Sequence, residues 1–161
     1  MHRAVRRRCR QGNVGAMELD RDETIKTLNE ILELELAGAV RYTQYALMVF
    51  GHARIPITSW MRDQAAEALL HAQLVGDEVT TLGGKVSLGI GELVGTHHPS
   101  VDDMLEEVLI HEHRGVDLYR RLLRLSEGTS VSLEELARQM IRNEEVHVSE
   151  IEKMLRKRGD A

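Results

Sequence analysis

Four stretches of this 161-residue chain, each about 25–30 residues long, place apolar side chains at every third or fourth position. A pattern of that period and length specifies an amphipathic helix. The first segment opens at Asp20 or Asp22 and runs to about Phe50, with Gly51 as its stop, and its stripe is Ile25, Leu28, Leu32, Ala39, Tyr42 and Ala46. The second starts around Pro56, which suits a first helical turn, and ends at Leu82 before Gly83-Gly84. Ser100 with Asp103 three residues on opens the third, which reaches about Ser126 before Gly128. Ser132 with Glu135 reads as a capping box for the fourth, which ends near Lys157 before Gly159.

The connections then decide the topology. Helices of this length span about 40 Å at 1.5 Å per residue. The first and second are joined by about five residues, as are the third and fourth, so each pair is an antiparallel hairpin. Residues 85–99 separate the hairpins, and such a segment reaches at most ~50 Å when extended. That is enough to run the length of the bundle and leave helices two and three parallel. The expected fold is all-α, a four-helix bundle with one long crossover between helices two and three.

A chain that is 42% hydrophobic with only two prolines has the apolar content for such a core. Its single cysteine, Cys9, excludes an internal disulfide framework and suits a reducing, cytoplasmic setting. No run approaches the ~18 apolar residues of a membrane span. Aromatic residues make up 3%, which argues against a nucleic-acid module built on base stacking. The net charge of −5 divides unevenly, with five arginines and no acid in residues 1–16 and −10 on the rest. Residues 1–16 are open to three readings: a nucleic-acid or membrane arm, a short targeting piece, or sequence upstream of a true start at Met17. The bundle domain is expected over 17–161.

Acids and histidines on faces that should be apolar carry the chemistry. Glu35 interrupts the stripe Leu28, Leu32, Ala39, Tyr42, and Glu112 interrupts Leu105, Val108, Val116, Tyr119. Glu144 and His147 interrupt Leu133, Ala137, Met140, Ile151 and Met154. In the second helix His71 interrupts Trp60, Ala68, Val75 and Leu82, with Glu67 one turn before it. A carboxylate in a bundle core costs several kcal/mol unless paired or bound to a metal. Glu35 to Glu67 is 32 residues, and Glu112 to Glu144 is also 32. Two hairpins about a pseudo-twofold axis would gather all six side chains. Four carboxylates and two imidazoles suit two iron or manganese ions better than zinc.

The segment from Leu28 through Glu35 to Tyr42, with Arg142-Asn143-Glu144-Glu145-Val146-His147, resembles the bacterioferritins of the ferritin-like di-iron family over most of residues 20–157. The resemblance implies a ferroxidase centre with Glu35, His71, Glu112, Glu144 and His147 as ligands, Glu144 bridging two irons, and Tyr42 as an electron donor nearby. It implies oxidation of Fe(II) by dioxygen or peroxide, for iron storage or detoxification, in a homo-oligomer between a dimer and a cage. Glu67 is expected as a second bridging carboxylate, yet this chain has Glu67-x-x-x-His71 where the family has Glu-x-x-His, with Ala68 at the family's acid position. A π-bulge would restore its aim. Leu69 stands at the haem methionine position, so haem is not supported, and only 14 residues follow His147, which weakens the inference to a 24-subunit cage. Other di-iron oxidases or peroxidases and a Dps-like DNA-protecting assembly are the alternative functions. Tyr42 and Tyr119 are expected as core residues with bonded hydroxyls. His111, His113, Glu33 and Glu145 are expected to face solvent, and His97-His98 to lie in the crossover loop.

Overall fold

The polar residues that punctuate the sequence set the helix boundaries. In the computed structural model, which describes residues 18–93 and 100–157, the Asp20 side chain accepts the Glu23 N–H at 3.1 Å and opens α1 (Arg21–Met48). Helix α2 (Arg54–Thr81) has no side-chain cap, and Pro56 occupies its first turn, where a missing N–H is tolerated. Ser100 caps α3 (Val101–Ser126) by accepting the Asp103 N–H at 3.1 Å. Helix α4 (Val131–Leu155) starts two residues before the expected Ser132 box. Ser130, in extended backbone, is its cap and accepts from Leu133 N–H. Gly51, Gly83 and Gly128 follow α1, α2 and α3 with φ of +82°, +70° and +71°, a region that disfavours side chains with a Cβ. Residues 1–17, 94–99 and 158–161, with Cys9 and His97-His98 among them, lie outside the described residues.

Helix α1 packs on α2, α3 on α4, and α1 on α3. The described part of the crossover is pinned along α1. Asn29 donates to Lys85 O at 3.0 Å and accepts from Ser87 N–H at 2.8 Å, Gly91 N–H donates to Glu33 O at 2.8 Å, and Arg41 donates to Glu92 O at 3.1 Å. Crossover numbers thus rise with α1 numbers, so the chain returns to the end where α2 began and α3 runs parallel to α2, as expected. No described residue forms a strand.

The core is two apolar layers. One contains Leu28, Leu32, Val75, Tyr119 and Met140, the other Tyr42, Met61, Leu105, Val108 and Ile151. On every helix the acids and histidines singled out above fall between the two layers. The bundle therefore encloses a polar stratum at mid-height, clamped by apolar packing above and below.

Candidate metal centre

Helices α1 and α3 each bring one glutamate to this stratum. Glu35 is 7% exposed and Glu112 3%. Each is held by a tyrosine of the other half: Tyr119 Oη donates to Glu35 Oε1 at 2.7 Å, and Tyr42 Oη donates to Glu112 Oε1. Tyr42 lies seven residues after Glu35 and Tyr119 seven after Glu112, so the two hydrogen bonds cross the bundle as a pseudo-twofold pair. The tyrosines are buried with bonded hydroxyls, as expected. Burial raises both phenol pKa values well above 10, and the adjoining carboxylates raise them further.

Helices α2 and α4 bring the nitrogens. His71 Nδ1 lies 3.4 Å from Glu35 Oε1 and 3.4 Å from Glu144 Oε1. His147 Nδ1 lies 3.3 Å from Glu112 Oε2 and 3.9 Å from Glu144 Oε2. Two groups result, Glu35–His71–Glu144 and Glu112–Glu144–His147, in each of which one donor atom per residue falls within 4.8 Å of the others. Glu144 belongs to both. Its two oxygens point to the two different histidines, the placement a bridging carboxylate needs.

Glu67 belongs to neither group. Its Oε1 lies 3.6 Å from His71 Nε2 and its Oε2 lies 3.3 Å from His147 Nε2, so it faces the far side of both rings. Helix α2 is α-helical from Arg54 to Thr81 without a π turn, so nothing re-aims that side chain. The first hairpin connects through residues 49–53 and the second through 127–130, one residue fewer. Glu35 to His71 is 36 residues and Glu112 to His147 is 35, and the counterpart of Glu144 is Ala68 rather than Glu67. Leu69, at the haem methionine position, is 46% exposed on the outer side of α2.

The charges in this stratum are mutually dependent. Burial opposes the charged imidazole of His71, but its contacts with Glu144 and Glu35 prevail and raise its pKa to about 10. His147 is raised too, against burial, by Glu112. Burial also opposes ionisation of Glu112, but hydrogen bonds from His147, Glu144 and Tyr42 bring it down to about 2. Glu144 is pushed well above its usual value by burial and by the nearby charge of Glu112 and Glu35, with His71 opposing.

Two further residues meet this cavity. His111 was expected to face solvent but is 8% exposed, because α3 lies against Gly38 of α1, where a Cβ would stand 2.6 Å from His111 Nε2. Burial keeps its imidazole neutral, with the pKa down to about 4. The glycine inside an otherwise regular helix was the available signal, since such a residue costs up to about 1 kcal/mol and needs a packing reason. Gln64 was missed entirely: it is 8% exposed, lines the cavity, and its Oε1 has no hydrogen-bond partner. His113 and Glu145 are exposed as expected, whereas Glu33 is half-buried under the crossover and accepts a hydrogen bond from Ser87.

The donor set fits transition-metal ions. Three buried carboxylates, two imidazoles and no thiolate suit iron or manganese. The cavity between them measures about 10 Å³, room for roughly one water-sized sphere.

Fold and site together define an all-α bundle with a buried carboxylate–histidine cluster at its centre, suited to metal binding. The Ferritin-like domain family matches residues 25–159, and the chain belongs to that family. Among curated proteins, the bacterial non-heme ferritins of Escherichia coli and Shigella flexneri are 28% identical over 90 residues, covering 56% of this chain and 54% of theirs. The chain thus matches about half the length of those relatives. Among solved structures, a ferritin-like di-iron-carboxylate protein of Bacillus anthracis superposes with a TM-score of 0.77 at 24% identity, covering 87% of this chain and all of that one. A dodecameric thioferritin of Bacteroides fragilis gives 0.80 at 22%, covering 86% and 87%. The Rhodobacter capsulatus bacterioferritin gives 0.77 at 22%, covering 86% of each chain. At these identities the likeness shows the fold.

Proposed function

We propose that this protein is a ferroxidase that takes two Fe(II) ions into the bundle and oxidises them to Fe(III) with dioxygen or peroxide, for iron storage or detoxification. The observation that carries this reading is the pair of donor groups sharing Glu144, complete within one chain. Glu35 and His71 would hold one ion, Glu112 and His147 the other, and Glu144 both. Two Fe(II) supply the two electrons that reduce dioxygen to peroxide, or peroxide to water, with two protons taken up in either case. Manganese would satisfy the same donors.

The chain's own groups do three things around the ions. Tyr119 and Tyr42 orient the terminal carboxylates through their hydroxyls. The apolar layers shield the site from solvent along the bundle axis. The burial of Tyr42 and its bond to Glu112 support a redox role in which its electron would pass to the oxidant and its phenolic proton to Glu112. The cavity of about 10 Å³ between the donors suits small oxidants.

The Bacteroides relative is described as dodecameric, and a homo-oligomer, from a dimer to a cage, is proposed for this chain. Exposed Leu47, Phe50 and Ile55 near the α1–α2 turn, and Leu88 and Ile90 in the crossover, supply apolar surface for it. No described helix is long and apolar enough to cross a membrane, and a cytoplasmic setting is part of the proposal.

Fe(II) titration under dioxygen tests the function. The ferric absorbance should saturate at about two Fe(II) per chain, the capacity of a two-metal carboxylate bundle, and Glu144→Ala should lose this phase. Equal behaviour of the two proteins would refute the proposal.

A further inference from the structure

The two imidazoles present their Nδ1 atoms to the three buried carboxylates and their Nε2 atoms to a fourth. That fourth carboxylate is Glu67, and its two oxygens divide between the two rings, Oε1 at 3.6 Å from His71 and Oε2 at 3.3 Å from His147. A neutral imidazole that gives one nitrogen to a metal carries its proton on the other, and that N–H needs an acceptor. The position from which a helix-two carboxylate would bridge the ions is held by Ala68, 7% exposed, which has no donor atom. Glu67, one residue earlier, is turned about 100° around the helix from it, and its side chain is 35% exposed at the edge of the cluster.

We propose that Glu67 is a positioning residue and not a ligand: one carboxylate accepts the Nε2–H of both His71 and His147, fixing both rings in the tautomer that offers Nδ1 to the ions. The inference rests on the two-metal reading above and assigns this chain five ligating side chains with one bridging carboxylate. The single acceptor also ties α2 to α4 at the site, because rotating either ring would leave one Glu67 oxygen without its partner. Each of the two donor groups contains one of these rings, so both ions depend on the same carboxylate for the orientation of their nitrogen ligand.

Zn(II) serves as a redox-silent, diamagnetic probe on the full chain stripped of metal. Wild type, Glu67→Gln and Glu67→Ala are compared by calorimetric titration and by ¹⁵N spectra of the imidazoles. In the wild type loaded with Zn(II), both histidines should show protonated Nε2 and metal-bound Nδ1. Both variants should still bind about two Zn(II) per chain, with affinity lower by roughly 10–100-fold. In Glu67→Gln the amide oxygen accepts from one ring while its NH₂ opposes the other, so the two ions should separate into a tight and a weak step. A stoichiometry of one in both variants would make Glu67 a ligand and overturn the inference, as would unchanged affinity in both. Far-UV circular dichroism confirms that the variants fold, and partial exposure of Glu67 makes Gln a mild change. Absence of Zn(II) uptake by the wild type would instead overturn the two-metal reading itself.

Discussion

Replacing Glu144 with glutamine keeps the side chain's shape and removes its charge. It should make the metal-free protein more stable while abolishing its stabilisation by metal. Glu144 is 5% exposed, and together with Glu35 and Glu112 it sets three buried carboxylates against two imidazoles. Burial and the neighbouring carboxylates raise its pKa well above the usual 4.5. The folded protein therefore keeps a proton that the unfolded chain releases as pH rises past that value. Where the folded state binds more protons, stability falls with rising pH. Glutamine does not titrate and escapes this penalty. Exchanging buried ionic groups for well-fitting neutral ones is often stabilising by about 1–4 kcal/mol. Weakened contacts with His71 and Glu112 offset part of that, leaving about 1–3 kcal/mol, or roughly 2–10 °C in melting temperature for a chain of this size. The assay is thermal unfolding followed by circular dichroism on chelator-treated protein from pH 5 to 8. The variant should melt higher at pH 8, and its advantage should shrink toward pH 5. With Zn(II) added, the wild type should gain and the variant should not. A metal-free variant that melts below wild type at pH 8, or a gap independent of pH, would refute the reasoning.

The same protons oppose metal uptake. His71, raised to about 10, together with Glu144 and His147, also raised, must be deprotonated before they can ligate, so Zn(II) affinity should climb between pH 6 and 8.5 by about one decade per pH unit for each proton displaced. Competition titration against a chromophoric chelator measures this, and a flat profile would contradict it. Gly38→Ala should destabilise the fold by about 1–3 kcal/mol, since the new Cβ would meet the buried His111 ring at 2.6 Å. In a His111→Ala background the same change should become neutral or stabilising, as Gly→Ala usually is inside a helix. Additive effects in that double-mutant cycle, measured by denaturant unfolding, would rule out the contact.

Period and punctuation made the four helices legible, because each boundary rests on a local rule: Asp20 and Ser100 cap where their oxygens reach an N–H three residues on. The same rule misled at α4. Ser132 and Glu135 have the spacing of a capping box, but the chain leaving Gly128 is already turned so that Ser130 sits in extended backbone and caps first. Glu35, Glu112, Glu144, His71 and His147 were readable as polar interruptions of apolar stripes, which is a property of one helix at a time. Glu67 was not readable in that way. The equal 32-residue intervals suggested that it matches Glu144, whereas what fixes its aim is its distance from the histidine of its own helix, four residues to His71 where Glu144 stands three before His147. His111 depended on what lay opposite. Neighbours of an inward residue normally turn outward, and the notch at Gly38 makes room for the His111 ring beside the buried Glu112.

This one-residue difference between the hairpins makes the two halves unequal where the tyrosine pair is symmetric. The group Glu112–Glu144–His147 is drawn entirely from α3 and α4. The group Glu35–His71–Glu144 draws on α1 and α2 but takes its third member from α4. With Ala68 in place of a carboxylate, the first hairpin cannot complete a three-ligand group on its own, while the second can. The bundle interface therefore contributes to the site and does not merely surround it. Any change that loosens the packing of α1 and α2 against the other hairpin should disturb the Glu35–His71 position first. The crossed hydrogen bonds, Tyr119 to Glu35 and Tyr42 to Glu112, act against that loosening, because each bonds a carboxylate of one hairpin to a tyrosine of the other. Docking of the hairpins thus completes the Glu35–His71–Glu144 group, and the two tyrosine–carboxylate hydrogen bonds hold the hairpins together beside it.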